Sequence, residues 1–392
     1  MAGAGPPRTV LYVHSSAGRY GADRQLALVV SHLDPDRYRA LVVLPEDGPL
    51  VQELRAAGAE VHLRPGLAVL RRALFNPAGV ARVTARAVAD ARGLTRLARA
   101  RGACLVHSNT SVTLGGAAAA RAARLPHVWH VREIYADFGR WWPAYRRLLL
   151  SADAVPCLSE ATRAQFGAAR NALVIPEGLP DEATARRPLA RAAARSALDL
   201  PEEAFTCLVL GRLNSWKGQE VLARALAEPP LRERGAIGLV AGDAWPGEER
   251  HERALRALRA DLGLGDRLRL LGFRDDLEAL FGAADVVCVP STRPEPLGLA
   301  ALEAAAAAKC VVVSNAGGLR EIVRDGETGR LVPPGSPPAL ATTLAELADE
   351  PDLRDRLAAA AAADVRARFS TARLLERTQA LYDDLLGASG RG

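Results

Sequence analysis

Two stretches of the chain combine charge with backbone freedom in a way that suits a phosphorylated ligand. The first follows the apolar run Thr206–Leu210 and reads Gly211-Arg212-Leu213-Asn214-Ser215-Trp216-Lys217-Gly218. A strand ends, a glycine permits a tight turn, and two cations flank the start of a helix, whose N-terminus itself attracts anions. Only Lys217 and Lys309 among the 51 basic residues are lysines. A compact ammonium on a phosphate oxygen is a reason for that exception; a solvated loop with incidental charges is the plain alternative. The second stretch follows Val286–Val289 and runs Pro290-Ser291-Thr292-Arg293-Pro294-Glu295-Pro296-Leu297-Gly298 into a helix carrying Glu303. Leu297-Gly298 opens that helix and exposes backbone N–H groups. Glu303 can accept bonds from a ribose diol, as acidic residues do in dinucleotide sites. It is otherwise an ordinary helix glutamate, although the apolar Gly298–Ala308 around it implies burial, where a carboxylate needs a partner.

Such loops must be held by regular elements. β-type runs are expected at Val10–His14, Ala40–Leu44, Cys104–His107, His127–Val131, Ala154–Leu158 and Leu173–Ile175, then at Thr206–Leu210, Ile237–Ala241, Leu268–Leu271, Val286–Val289 and Cys310–Ser314. Helical stretches such as Arg24–Leu33, Val80–Ala100 and Pro143–Ser151 lie between them. Continuous apolar strands alternating with helices predict an α/β fold of doubly wound parallel sheets, with ligands at the strand carboxyl ends. The predicted division is an N-terminal domain over 1–180, a C-terminal domain over 181–369 and a helix over 370–392 that crosses back to the first domain. The linker falls in Pro176–Glu203, which has no strand pattern.

Composition excludes several classes. Hydrophobic residues make up 49% and charged residues 24%, an ordinary globular balance. Cys104, Cys157, Cys207, Cys288 and Cys310 sit in apolar runs with no ligand spacing, so neither disulfides nor structural zinc are expected. The N-terminus lacks a signal-peptide pattern and no run is long enough to span a bilayer, which predicts a cytoplasmic protein. Net charge is +6, yet residues 1–180 hold 23 arginines against 13 acids. The span Arg64–Arg101 carries arginines at 64, 71, 72, 82, 86, 92, 96, 99 and 101 against Asp90 alone, and Gly139–Leu150 mixes Trp141, Trp142 and Tyr145 with Arg140, Arg146 and Arg147. That composition suits peripheral contact with an anionic membrane at its inner face; no nucleic-acid partner is expected.

Taken together, GRLNSWKG and EPLGLAALE resemble the retaining glycosyltransferases of family 4, with their Glu-x7-Glu motif and upstream Arg and Lys. The likeness continues through GRYGADRQ (Gly18–Gln25), the NTS and HVREI segments, VAGDA, LLGFRDD and NAGGLREIVRDGETGRLVPPG. The resemblance implies a GT-B fold, two Rossmann-like domains facing a central cleft. It implies a nucleotide-diphospho-sugar co-substrate, no cofactor, and a glycan, lipid-linked or small-molecule hydroxyl acceptor. It places Arg212 and Lys217 on the donor diphosphate, Glu303 on the ribose and Glu295 on the transferred sugar. The Leu297 and Gly298 amides fall near sugar and phosphate, Gly21 near the phosphate, and His130 beside the reacting sugar, although a histidine next to Trp129 can also be structural. The chain departs from the family at Leu297 (Phe is usual), at Tyr20-Gly21 (Gly-Gly) and at Glu177-Gly178 (Asn-Gly). The first two bear on donor fit, and the third is expected to matter little.

The implied reaction transfers a hexosyl unit with retention. Fixed cations would stabilise charge on the leaving diphosphate. The Asp-x-Asp sequence Asp34-Pro35-Asp36 reads as a turn away from the strand carboxyl ends, so a metal-independent reaction is expected. A dehydrogenase fails for want of a GxGxxG after any strand. A sugar-nucleotide epimerase of the same architecture and a non-catalytic nucleotide-sugar binding protein remain as alternatives.

Overall fold

The computed structural model describes residues 6–70 and 77–389; Arg71 and Arg72 of the arginine-rich span lie outside them. The chain divides into two compact units, one of Met1–Gly178 with Thr371–Gly392, the other of Leu179–Ser370.

In the first unit, β1 (Arg8–Val13), β2 (Tyr38–Leu44), β3 (Glu60–Leu63), β4 (Ala103–Ser108) and β5 (His127–Trp129) form a parallel sheet in the order β3-β2-β1-β4-β5. β6 (Val155–Cys157) pairs with β7 (Ala172–Val174), and bridges from Ala154 and Cys157 to Val128 and Val131 continue the sheet. Val10 to Val13 are all buried, as a strand covered on both faces requires. The edge strand β3, Glu-Val-His-Leu, was not visible in the sequence pattern because it is at most half-buried and carries no continuous apolar run. The C-terminal helix Thr371–Ser389 packs into this unit through Leu374, Leu375 and Tyr382. The buried Tyr382 hydroxyl bonds Tyr12 Oη at 3.0 Å and His107 Nδ1 at 2.6 Å.

The second unit has a six-stranded parallel sheet ordered β10-β9-β8-β11-β12-β13. Its strands are β8 (Thr206–Leu210), β9 (Ile237–Ala241), β10 (Leu268–Gly272), β11 (Val286–Val289), β12 (Cys310–Ser314) and β13 (Arg330–Val332). The short edge strand β13 is the other element without a sequence signal. The predicted linker holds two helices, Asp181–Ala185 and Arg191–Ala197, and no strand. Arg195 from the second is buried on Asp285 (2.8 Å) and on the carbonyls of Pro201, Glu202 and Ala204. Strand order reverses between β1 and β4 and between β8 and β11, so each unit offers one crevice at the carboxyl ends of its strands.

Among the described residues all five cysteines are unpaired. Among the described residues no helix is long and apolar enough to cross a membrane. Asp34-Pro35-Asp36 is a turn entering β2, with Asp34 Oδ1 accepting from Asp36 N.

Candidate active site

Both loops of the second unit leave the carboxyl ends flanking its switch point. After β8 the chain turns at Gly211, and Asn214 Oδ1 accepts from the backbone N–H groups of Trp216 and Lys217 at 3.0 and 2.8 Å. The Asn214 side chain thus closes a short turn within the loop. Gly218 then starts the helix Gln219–Ala227 at φ +79°, and a Cβ there would lie 2.0 Å from the Pro290 carbonyl. Only glycine lets the β8 loop approach the β11 loop so closely.

That approach joins two residues the sequence reading treated separately. Lys217 Nζ lies 2.9 and 2.8 Å from the two oxygens of Glu295. Ser291, fully buried, donates its hydroxyl to the same carboxylate. Glu295 is 3% exposed, so the charge-assisted bonds replace lost hydration. Its backbone is fixed as well, since its carbonyl accepts from Gly318 N at 2.7 Å. Arg212 lies in the same β8 loop, its guanidinium stacked 3.7 Å from the centre of the Trp245 ring. Leu297 is buried, Gly298 at φ +112° precedes the helix Leu299–Ala306, and Glu303 on that helix is 8% exposed. Six of the eight candidate residues therefore sit at one end of one sheet. Ser291 and Trp245 were missed; both follow strand ends, which was the available signal.

Gly21 and His130 belong to the first unit. Gly21 begins the helix Gly21–His32. Two residues on, Asp23 accepts from Tyr20 N (2.9 Å), His14 Nε2 (2.8 Å) and the Ser16 hydroxyl. Burial opposes ionisation of Asp23, but these bonds outweigh it and hold its carboxyl below the usual range. Asn109 Nδ2 bonds His14 Nδ1 at 3.0 Å, which leaves Nε2 as the proton-bearing nitrogen facing Asp23. Arg132 continues the network, donating to the Asn109 carbonyl and side chain and to Glu177. Arg132 and Glu177 form a buried ion pair, side chains 7% and 6% exposed. Glu177 was expected to matter little; the structure makes it the counter-charge of a buried guanidinium 45 residues away in sequence.

His130 follows β5, 5% exposed and stacked on His107 at 5.7 Å. Burial, then the positive charge of Arg132, hold it neutral well below the ordinary histidine range. Its Nε2 has no hydrogen-bond partner among the described residues.

The arginine-rich span is only partly surface charge. Arg64 pairs with Asp90 and Arg101 with Glu60, each at 2.6 Å. Arg82, Arg86, Arg92, Arg96 and Arg99 remain exposed on the helix Pro77–Ala100, whose one acid, Asp90, is buried. In Gly139–Leu150 the aromatics mostly turn inward. Tyr145 is buried with its hydroxyl on the Ser111 carbonyl, and Trp142 stacks on Tyr135, leaving Trp141 and Leu148 exposed.

Two family models match the chain, Glycosyl transferases group 1 over residues 190–364 and the Glycosyl transferase 4-like domain over residues 20–178. A D-inositol 3-phosphate glycosyltransferase of Streptomyces scabiei is 42% identical over 180 residues, 44% of this chain and 40% of that protein. The match thus spans about two-fifths of that relative's length. Among solved structures, Anabaena Alr3699/HepE in complex with UDP-glucose is 26% identical, with a TM-score of 0.80 over 96% of this chain and 99% of that one. Sucrose-phosphate synthase from Thermosynechococcus elongatus shares the fold, with a TM-score of 0.76 at 21% identity over 97% of this chain and 100% of that one.

Proposed function

The chain belongs to the GT-B glycosyltransferases, and from that premise we propose that it transfers a hexosyl unit from a nucleoside diphosphate sugar to a hydroxyl acceptor, with retention and without a metal ion. The observation that carries the reading is the set of Arg212, Lys217 and Glu295 gathered at the switch point of the second unit. Breaking the bond between the anomeric carbon and the phosphate oxygen leaves negative charge on the diphosphate. Arg212 and Lys217 meet that charge. Lys217 has three N–H donors, so it can serve phosphate while still bonded to Glu295. Glu295 then accepts from hydroxyls of the transferred sugar, Glu303 from the ribose, and the Leu297 and Gly298 amides lie toward sugar and phosphate. The acceptor oxygen forms its bond on the face the diphosphate leaves, and its proton passes to a donor phosphate oxygen. His130, neutral and with a buried Nε2 that no protein group bonds among the described residues, suits a polar contact to the sugar more than a general base. Gly21 at its helix start is assigned to the phosphate on the same resemblance.

The likeness to the Anabaena protein makes UDP-glucose the first donor to test, and the Streptomyces relative makes a phosphorylated polyol the first acceptor. The exposed arginines of Pro77–Ala100 are proposed to hold the protein against anionic lipid. The decisive experiment incubates the chain with UDP-, GDP- and dTDP-sugars, with and without acceptors, in EDTA. Product with the donor's anomeric configuration is expected. A new sugar nucleotide without acceptor would make the chain an epimerase, binding without turnover a carrier, and activity restored only by Mg²⁺ or Mn²⁺ a metal enzyme.

A further inference from the structure

We infer that Trp245 is a positioning residue of the donor site, holding the Arg212 guanidinium in place before a ligand arrives; the inference rests on the donor-site reading above. The placement begins with strand pairing. β8 and β9 run parallel with Leu210 beside Ala241, so their loops leave adjacent strand ends together. Gly211 N bonds the Ala241 carbonyl at 3.0 Å, and Leu213 N bonds the Asp243 carbonyl at 2.8 Å. Between them Gly242 lies at φ +146°, where a Cβ would sit 2.1 Å from the Gly211 carbonyl oxygen. Any side chain at 242 would force these loops apart, and the stacking of Trp245 on Arg212 depends on their being stitched together.

The stack itself is close, with Arg212 Cζ 3.7 Å from the ring centre. Trp245 remains 44% exposed, so core burial does not account for an indole there. The Arg212 backbone is held too, its carbonyl accepting from Gln219 Nε2 at 3.0 Å. The contrast with Lys217 explains the choice of an aromatic. Lys217 is held by a carboxylate, which takes up part of its donor capacity and offsets its charge. A ring face attracts a guanidinium without cancelling its charge and without occupying its N–H donors. Rotamer freedom is removed in advance, so less is lost when the diphosphate binds.

The test uses the full chain and three probes, UDP, GDP and dTDP, by calorimetry. Trp245→Leu keeps apolar bulk but loses the ring face, and Trp245→Phe keeps a ring. For the tightest of the three, Trp245→Leu should weaken binding about fivefold and Trp245→Phe by less than about twofold. In an Arg212→Ala background, Trp245→Leu should cost nothing further. Unchanged binding in Trp245→Leu overturns the inference, and so does equal loss in Trp245→Phe. A loss that persists without Arg212 overturns it as well, because the ring would then act on the nucleotide directly. In each of those cases the donor site stands. Wild-type protein that binds none of the three removes the donor-site reading and this inference together.

Discussion

At the carboxyl ends of β1, β4 and β5 the polar side chains bond to one another: His14 to Asp23 and Asn109, Asn109 to Arg132, Arg132 to Glu177. At the carboxyl ends of β8 and β11 they form a smaller set, Lys217 and Ser291 on Glu295, with Arg212 held by an aromatic face. Lys217 is 23% exposed, whereas both side chains of the Arg132–Glu177 pair are below a tenth. The same sheet architecture thus has two electrostatic designs at its switch points. One satisfies its charges internally and becomes rigid; the other leaves cations within reach of a ligand. Substitutions in the first should therefore read out as stability, and substitutions in the second as activity.

The largest effect is expected where the closed network loses one charge. Glu177→Gln keeps an oxygen for Arg132 but removes the carboxylate that is hydrogen-bonded to its buried guanidinium. The cost should be about 3–5 kcal/mol of unfolding free energy, measured by denaturant titration. An unfolding free energy within about 1 kcal/mol of wild type would restore the sequence-based expectation that position 177 matters little. On the open side, Arg212→Ala and Lys217→Ala should each lower kcat/KM by about 100-fold or more. Lys217→Ala also strands Glu295, so the double variant Lys217→Ala/Glu295→Gln separates the two consequences: stability should recover and activity should not.

The two units should also differ in their response to pH. Burial drives His107 and His127 from 6.5 to about 3, while the sole histidine of the second unit is the partly exposed His251. Between those values the unfolded chain binds protons that the folded chain does not. Stability contributed by the two histidines is therefore complete above about pH 6.5 and is lost as pH falls toward about 3. Each should cost up to about 1.4 kcal/mol per pH unit in that window. Hydrogen exchange corrected for intrinsic rates should show β4 and β5 losing protection between pH 6.5 and 5 before β8 and β11. Equal loss in both sheets would contradict the assignment.

A smaller difference separates the two glutamates of the open site. Glu303→Gln should weaken donor binding about tenfold, by loss of a charge-assisted bond to the ribose. Glu295→Gln should mainly lower kcat. Matching changes in donor Kd would erase the distinction.

These contrasts show which information was legible in the chain. β1, β8, β11 and β12 are continuous apolar runs because both faces are covered, and they were read to within two residues at either end. β3 and β13 are edges, with too few buried positions to leave a pattern. Residue types at the open site were legible since strand ends mark the ligand side of such sheets. Their pairing was not, because Lys217 and Glu295 are 78 residues apart and meet only through a glycine contact. Arg132 and Glu177 were harder still, since a buried ion pair looks like two surface residues until the fold removes the water.

The smallest effect concerns the outer surface of the first unit. On the helix Pro77–Ala100, Val83, Ala87, Leu94 and Ala98 are buried, while Arg82, Arg86, Arg92, Arg96 and Arg99 are exposed. At about 100° per residue these five arginines fall within less than half a turn of the helix circumference. Asp90, the one acid of the helix, is spent on Arg64 and on the Ala68 N–H. The face is thus a one-signed strip, of the kind that anionic lipid attracts at about 1 kcal/mol per cation within a Debye length. The inward turn of Trp142 and Tyr145 removes most of the apolar insertion that Gly139–Leu150 could have supplied, so electrostatics must carry the attachment. Binding should then be weak, confined to anionic vesicles and lost at high salt. Sedimentation with phosphatidylserine and phosphatidylcholine vesicles at low and high salt reads this out, and replacing Arg82, Arg86 and Arg96 with glutamine should abolish it while leaving the folded stability unchanged. Protein that stays in the supernatant with both lipids at low salt would show that this strip is only a solvated helix face.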